Sequence, residues 1–579
     1  MMGLFIQHED NDVTDEVLPF TQLYITYLKE QKKLGTFGSE SRQRTRHILS
    51  SCVDKMRFPA AYNFERENED EETFNLFRKN LQTLLQHITT LDVDLVMEYA
   101  HTFVSQTLEC ARDPLVIELA LHLVYLLPNV LPGSYNATPN KETPLASIFS
   151  IVLYSNAVLY NHRAVKLTYF NVCSKYEKYL LTRGALVPQV LTAFLNECGI
   201  RNECPSVRSR ACYLFLSFVK CLREQLQPFL NDILQSVLAL QHLDLDENKY
   251  LLFDDQTNLF EAAAILITAN TANEPLRLFQ ALGEPLKLRF QSILSQEIFQ
   301  ASQDIRTQQK YADLLAHIMH CYIALSKSIT SPLHLEATLC FPFFAEALEL
   351  FTSALSLSVG GSVIRDGLRT YVHRMMVIMG SALIPELPRV FAILIGDRCE
   401  VTDLSDSIQL IDHLIDRFKS VIKPVVEEGF FLIVQSVFAV LSRPVDPADT
   451  NARSQIFDLK KVFFKFLSDI ITFDFITVLL SVKNVEFLNP IFQLILQGAS
   501  EMHDAKAQKF CFQFLNKFLR YVVEQSVEIN GFADLVLSHL MPGCISIICD
   551  VQFNPDDAQV TLLIPCACDP LHTLCVRPS

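Results

Sequence analysis

Apolar positions recur along this chain at helical spacing almost from end to end. Residues 58–88 show the pattern most fully. Phe74, Phe77, Leu81, Leu84 and Ile88 fall 3, 4, 3 and 4 residues apart, one stripe on a 3.6-residue period. An aromatic segment (Phe58, Tyr62, Phe64) and an acidic cluster (Glu65, Glu67, Glu69, Asp70, Glu71, Glu72) precede that stripe. Carboxylates at a helix start favour the positive end of its dipole, and Arg78 and Lys79 lie further in. By itself this stretch predicts a well-started helix with a solvated acidic lead-in.

The same period returns in segments of roughly 12 to 20 residues, and strand signals are nearly absent. Short punctuating loops are predicted at 35–41, 132–144, 199–206, 244–257 and 443–451, none long enough to part domains. A repeat is visible in the helix starts. Asp113-Pro114-Leu115-Val116, His162-Arg163-Ala164-Val165 and Cys204-Pro205-Ser206-Val207 each open a helix, with the three valines 49 and 42 residues apart. The cadence returns at Gly361-Ser362-Val363-Ile364-Arg365 and, degraded, at Asp504-Ala505-Lys506-Ala507-Gln508. Units of about 40–47 residues are HEAT-like helical pairs. One pair cannot bury its own apolar face, so stacking supplies the core. The expected fold is all-α: a HEAT-repeat α-solenoid forming a superhelical arch over residues 1–559. A divergent, non-repeat tail is expected over 560–579, where Pro565, Pro570 and Pro578 interrupt any helical period.

Composition agrees with a stack of helices buried on more than one side. Half of the 579 residues are hydrophobic, with only 16 glycines, and mean hydropathy is +0.21. The most apolar run, 430–441, is too short to cross a bilayer, and 375–395 is broken by Glu386, Arg389 and two prolines. The N-terminus turns acidic at once and lacks the basic start of a signal peptide. The expectation is a protein without membrane insertion. Cysteines such as Cys173, Cys212, Cys221, Cys321 and Cys511 sit singly in apolar helices, as small hydrophobes do. The Cys566, Cys568, Cys575 group lacks the spacing of a zinc site.

No Walker loop, dinucleotide fingerprint, H-E-x-x-H or nucleophile elbow occurs, so neither an enzyme nor a cofactor is expected. His317 and His320 lie three apart in an apolar helix without acidic companions. A net charge of −16 argues against indiscriminate nucleic-acid binding, but it leaves room for a local basic face. Candidates for such a face are Arg163 and Lys166, Arg208 and Arg210, Arg365, Arg369 and Arg374, and Lys460 and Lys461, several at the start of a repeat's second helix. In solenoids that helix usually lines the concave side, where cations would meet phosphates. The alternative for an arginine just after the turn valine is an ion pair to a neighbouring repeat.

Residues 207–234 (VRSRACYLFLSFVKCLREQLQPFLNDIL) closely resemble the exportin-T family, the tRNA exportins of the karyopherin-β superfamily. So, in order, do 58–81, 169–180, 361–376 and 505–519, and the resemblance spans about 17–559. It implies a nuclear export receptor that binds tRNA together with GTP-bound Ran, meets nucleoporins at the nuclear pore and shuttles between nucleus and cytoplasm. Such a receptor recognises RNA by shape and backbone. The resemblance also implies that these are central and C-terminal repeats, without the N-terminal block that receives Ran. Glu69, Asp70, Glu71 and Glu72 become candidates for a basic surface such as Ran's. A karyopherin for protein cargo and a HEAT scaffold without a transport role are the alternatives.

Overall fold

A computed structural model describes residues 2–60, 62, 64, 69–135, 143–240, 252–269, 275–295, 304–330, 335–354, 361–396, 399–501, 504–525, 534, 536–548 and 561–575. Among these no strand occurs, and the chain is a HEAT-repeat solenoid. It divides into two compact units, the first of residues 1–285 and 324–328 and the second of 286–323 and 329–579. Helices of eight residues or more are numbered in order.

In the first unit α1 (Asn11–Lys33), α2 (Ser39–Lys55), α3 (Glu69–Leu91), α4 (Val93–Cys110), α5 (Pro114–Val130), α6 (Pro144–Tyr154), α7 (Arg163–Lys175), α8 (Val187–Leu195), α9 (Pro205–Leu222), α10 (Leu230–Ala239) and α11 (Phe253–Ala269) follow one another through short loops. Alternate helices form two layers. α1, α3, α5, α7, α9 and α11 lie side by side in one, and α2, α4 and α6 in the other. The helix starts follow from local chemistry. Asp10, Asp92, Asp113 and Thr143 cap helices with their side chains, while Pro114, Pro144 and Pro205 occupy first turns, where the missing N–H costs nothing.

α12 (Pro275–Ser295) bridges the division in sequence. The second unit continues with α13 (Ile305–Ser326), α14 (Leu335–Ser353), α15 (Gly361–Ile378), α16 (Leu387–Leu394), α17 (Val401–Phe418), α18 (Lys423–Leu441), α19 (Thr450–Thr472), α20 (Leu488–Glu501), α21 (Ala505–Gln525), α22 (Met541–Ile548) and α23 (Leu563–Cys575). Here α15, α17, α19, α21 and α23 form one layer, and α16 packs on α18 in the other. Every cadence motif read from the sequence opens a helix: α5, α7 and α9 in the first unit, α15 and α21 in the second. The apolar stretch 401–441 is not one rod. A 3-10 turn at Lys419–Ile422 parts α17 from α18, and Lys419 takes a positive φ of 49°.

The tail departs from expectation. Residues 563–575 form α23, which packs on α21 and α22; Leu563 and Ala567 are buried, and Thr573 Oγ1 donates to Asn516 Oδ1 at 3.0 Å. Pro565 sits in the first turn and removes no helical hydrogen bond, whereas Pro570 lies inside α23, which is held by its packing on α21 and α22.

Candidate nucleic-acid interface

The helices of the first unit's α1–α11 layer are joined by a ladder of polar contacts. Its centre is the stripe read from residues 58–88. Phe74, Phe77, Leu81, Leu84 and Ile88 are buried, as the period requires, but Arg78 is buried with them. The guanidinium donates to both Glu118 oxygens, at 3.0 and 2.7 Å, and through Nε to the Met56 carbonyl at 2.7 Å. Phe58 lies 4.0 Å beneath it, and Thr168 Oγ1 donates to Glu118 at 3.1 Å. α3, α5 and α7 thus share one carboxylate. Burial, with Arg78 adding to it, holds the neighbouring His122 well below the ordinary imidazole range.

Arg163 repeats the device. Its Nη1 donates to Glu71 at 2.9 Å and its Nε to Ser206 Oγ at 2.8 Å, tying α7 to α3 and to α9. Tyr62 Oη donates to the same Glu71 carboxylate at 2.8 Å. One residue of the acidic cluster is therefore neutralised inside the unit, whereas Glu69, Asp70 and Glu72 are exposed. Glu65 and Glu67 lie outside the described residues. Lys166 is buried, with Nζ 3.4 Å from Asn161 Oδ1.

In the second unit Arg365 and Arg369 converge on Asp403 of α17. Arg365 Nε donates to Oδ2 at 2.9 Å and Arg369 Nη1 to Oδ1 at 3.3 Å, while Ser362 Oγ donates to Oδ1 at 2.9 Å. All three charged groups are buried. Asp366 and Asp406 flank Arg369 at 3.4 and 3.6 Å. Arg374 donates to the Ile329 carbonyl, and Lys461 pairs with Asp504 at 2.8 Å. Lys460 is half-buried, and among the described residues it has no ion-pair partner. Arg163, Arg365 and Arg369 therefore act within the stack, their charge matched by carboxylates of other helices.

The remaining candidates differ. Arg208, half-buried at the start of α9, donates to the Asn202 carbonyl at 2.7 Å. Arg210, one residue past the ladder position, is exposed, and its Nε and Nη2 donate to the neutral Asn171 Oδ1 at 3.0 and 2.8 Å. It lies 5.4 Å from the ring of Tyr213, which is 57% exposed. One turn from Asn171, the exposed Lys175 sits 5.7 Å from the ring of Tyr125 on α5, and Lys178 beyond it is exposed as well. Lys220, further along α9, and Lys327, just past α13, flank Glu261 at 2.7 and 2.9 Å. Burial works against that carboxylate, but the two lysines overcome it and hold its pKa below the usual range. Sequence reasoning missed Lys175, Lys178 and Tyr213. Their signal is spacing alone: Asn171 and Lys175 are four apart, and Arg210 and Tyr213 three apart, each pair on one face of its helix.

A cleft of about 530 Å³ in the second unit is lined by His373, Met376, His413, Asp416, Arg417 and Lys419. It mixes both signs at the carbonyl end of α17, where the dipole opposes an anion. Among the described residues no group of three or more His, Cys, Asp or Glu side chains could hold a metal ion.

Layered helix pairs of this kind define a class, the karyopherin-β-type HEAT solenoid, and solved structures agree. Importin13 in its cytosolic state superposes with a TM-score of 0.62 at 13% identity, covering 97% of this chain and 60% of that one. Kap95p, in a structure with RanGDP, gives 0.53 at 14%, covering 99% and 63%. At these identities the likeness is one of fold. Within that class a family model described as Exportin-T matches residues 2–569, and the chain belongs to the Exportin-T family. It is 30% identical to human Exportin-T over 575 residues and 26% identical to that of Arabidopsis thaliana over 578, covering 97% and 95% of this chain. The chain spans 59% of the length of the human relative.

Proposed function

We propose that this chain serves nuclear tRNA export as the RNA-holding repeats of an exportin-T-type receptor, with tRNA, GTP-bound Ran and nucleoporins as partners. It acts as a carrier with no chemistry of its own, moving between nucleus and cytoplasm through the pore. One observation supports this beyond family membership. Along α7 and α9, among the described residues, no carboxylate bonds the exposed cations Lys175 and Arg210, and Lys178 lies just beyond α7 beside Glu177, although the chain as a whole carries −16. A local positive ridge on an acidic protein attracts a phosphate backbone without making the whole surface sticky. Its side chains reach backbone and bases rather than a groove code, which suits a folded RNA whose deep major groove is closed to side chains. The exposed Glu69, Asp70 and Glu72 at the start of α3 are the carboxylates we assign to a basic protein surface such as Ran's. Recovery of nuclear RNA on the immobilised chain, with and without GTP-loaded Ran, tests the reading. Enrichment of tRNA that rises with GTP-loaded Ran is expected; equal recovery of tRNA and other structured RNAs in both conditions overturns it.

A further inference from the structure

The ridge that supports the RNA reading also carries aromatic rings, and that pairing narrows what it holds. A phosphate site needs only cations. Here Arg210 lies beside Tyr213 on α9, and Lys175 beside Tyr125 on α5. The two pairs adjoin, because Arg210 is tethered to Asn171, one turn before Lys175 on α7. Asn171 is neutral, so it orients the guanidinium without cancelling its charge. Among the described residues no carboxylate bonds Arg210 or Lys175. The carboxylates near α9 have other partners: Asp255 accepts from Ser209 at 2.7 Å, Glu177 accepts from Ser217 at 3.2 Å and faces Lys178, and Glu261 is held by Lys220 and Lys327. Tyr213 is open to solvent on a helix whose leucines, phenylalanines and valines are all buried, so packing does not account for it.

Resting on the RNA reading above, we infer that Tyr213 and Arg210 form a stacking platform for an unpaired nucleobase of the bound RNA, with Lys175 and Lys178 meeting the phosphates on either side. Every base presents a π face, so an exposed tyrosine flanked by a guanidinium holds a splayed nucleotide regardless of sequence. A blunt duplex keeps its bases stacked inside and has nothing to offer the ring. The platform therefore distinguishes RNA with unpaired nucleotides from plain duplex.

The test uses the full chain, with and without GTP-loaded Ran, and compares Tyr213→Leu, Tyr213→Phe and Arg210→Gln. Fluorescence anisotropy follows a tRNA transcript and a blunt RNA duplex of matched length across a salt series, and circular dichroism melts confirm that each variant is folded. Tyr213→Leu is expected to weaken tRNA binding about 5- to 100-fold at unchanged salt slope, Tyr213→Phe to retain it, and duplex binding to change less than about twofold. Arg210→Gln is expected to weaken tRNA binding and flatten the salt dependence as well. Wild-type-like tRNA binding by Tyr213→Leu, or an equal loss on the duplex, overturns the platform while leaving the RNA reading in place. Failure of the wild-type chain to prefer tRNA over duplex in either Ran condition removes the RNA reading and the platform with it.

Discussion

Two arginine sites near the starts of repeat helices end in opposite roles. At the start of α15, Arg365 and Arg369 turn inward, are buried and share Asp403. At the start of α9, Arg210 turns outward onto Asn171 and keeps its charge. The difference is the partner across the layer. A buried guanidinium is tolerable only beside an anion with good geometry, since desolvation otherwise costs several kcal/mol per ion. Asp403 supplies that anion in the second unit. Across from Arg210 the neighbouring helix offers an amide, so the side chain stays at the surface, where hydration already stabilises it.

Breaking the inward site has the largest expected effect. Asp403→Ala leaves two guanidiniums buried without their shared counterion and is expected to cost about 3–5 kcal/mol. Hydrogen exchange should show lost protection in α15 and α17. The same logic makes Arg369→Glu, at a residue the sequence offered as a candidate for the basic face, a structural lesion, because it sets a further carboxylate beside Asp366, Asp403 and Asp406. Replacing the whole cluster with apolar residues of similar volume (Arg365→Met, Arg369→Met, Asp403→Leu) should be milder than Asp403→Ala. If the single and triple variants lose equal protection, the charge argument fails.

A smaller effect is expected two turns along α17, where Asp412 faces Lys465 and Asp469. Burial, reinforced by the hydrogen bond to Asp469, raises the Asp412 pKa to about 7 despite the lysine. An aspartate titrates near 3.9 in an unfolded chain. Because the folded state holds the proton more tightly, the stabilisation from it is fully present below about pH 4 and lost as pH rises through about 7. Thermal melts between about pH 4 and 7 should show the wild type losing stability relative to Asp412→Asn as pH rises. An identical pH dependence of the two proteins would contradict the assignment.

The outward site should barely register in stability. Arg210→Gln is expected to shift unfolding by less than about 0.5 kcal/mol, as exposed substitutions do, while lowering RNA affinity. Chemical denaturation alongside RNA titration checks both. A large stability loss would mean that Arg210 belongs with Arg365 and Arg369, and the contrast between the two sites would collapse.

Much of the architecture was legible in residue order. Helical period, first-turn prolines and capping aspartates are local features, and the turn-valine cadence placed the starts of α5, α7, α9, α15 and α21 correctly. The prolines of the tail did not forbid a helix: Pro565 falls in a first turn, and α23 carries Pro570 in its interior while docked on α21. The basic candidates were legible only as a set. Arg163 and Arg210 read alike in sequence, and so do Glu71 and Glu72.

What residue order determined by itself was the all-helical repeat and the family, because both rest on short-range spacing and ordered segment matches. What the tertiary structure decided was which charges remain available. Arg163 meets Glu71 across 92 positions, and Arg365 meets Asp403 across 38. Whether a cation is cancelled depends on which side chain another helix presents within about 3 Å. That is a property of stacking register, and local sequence does not carry it.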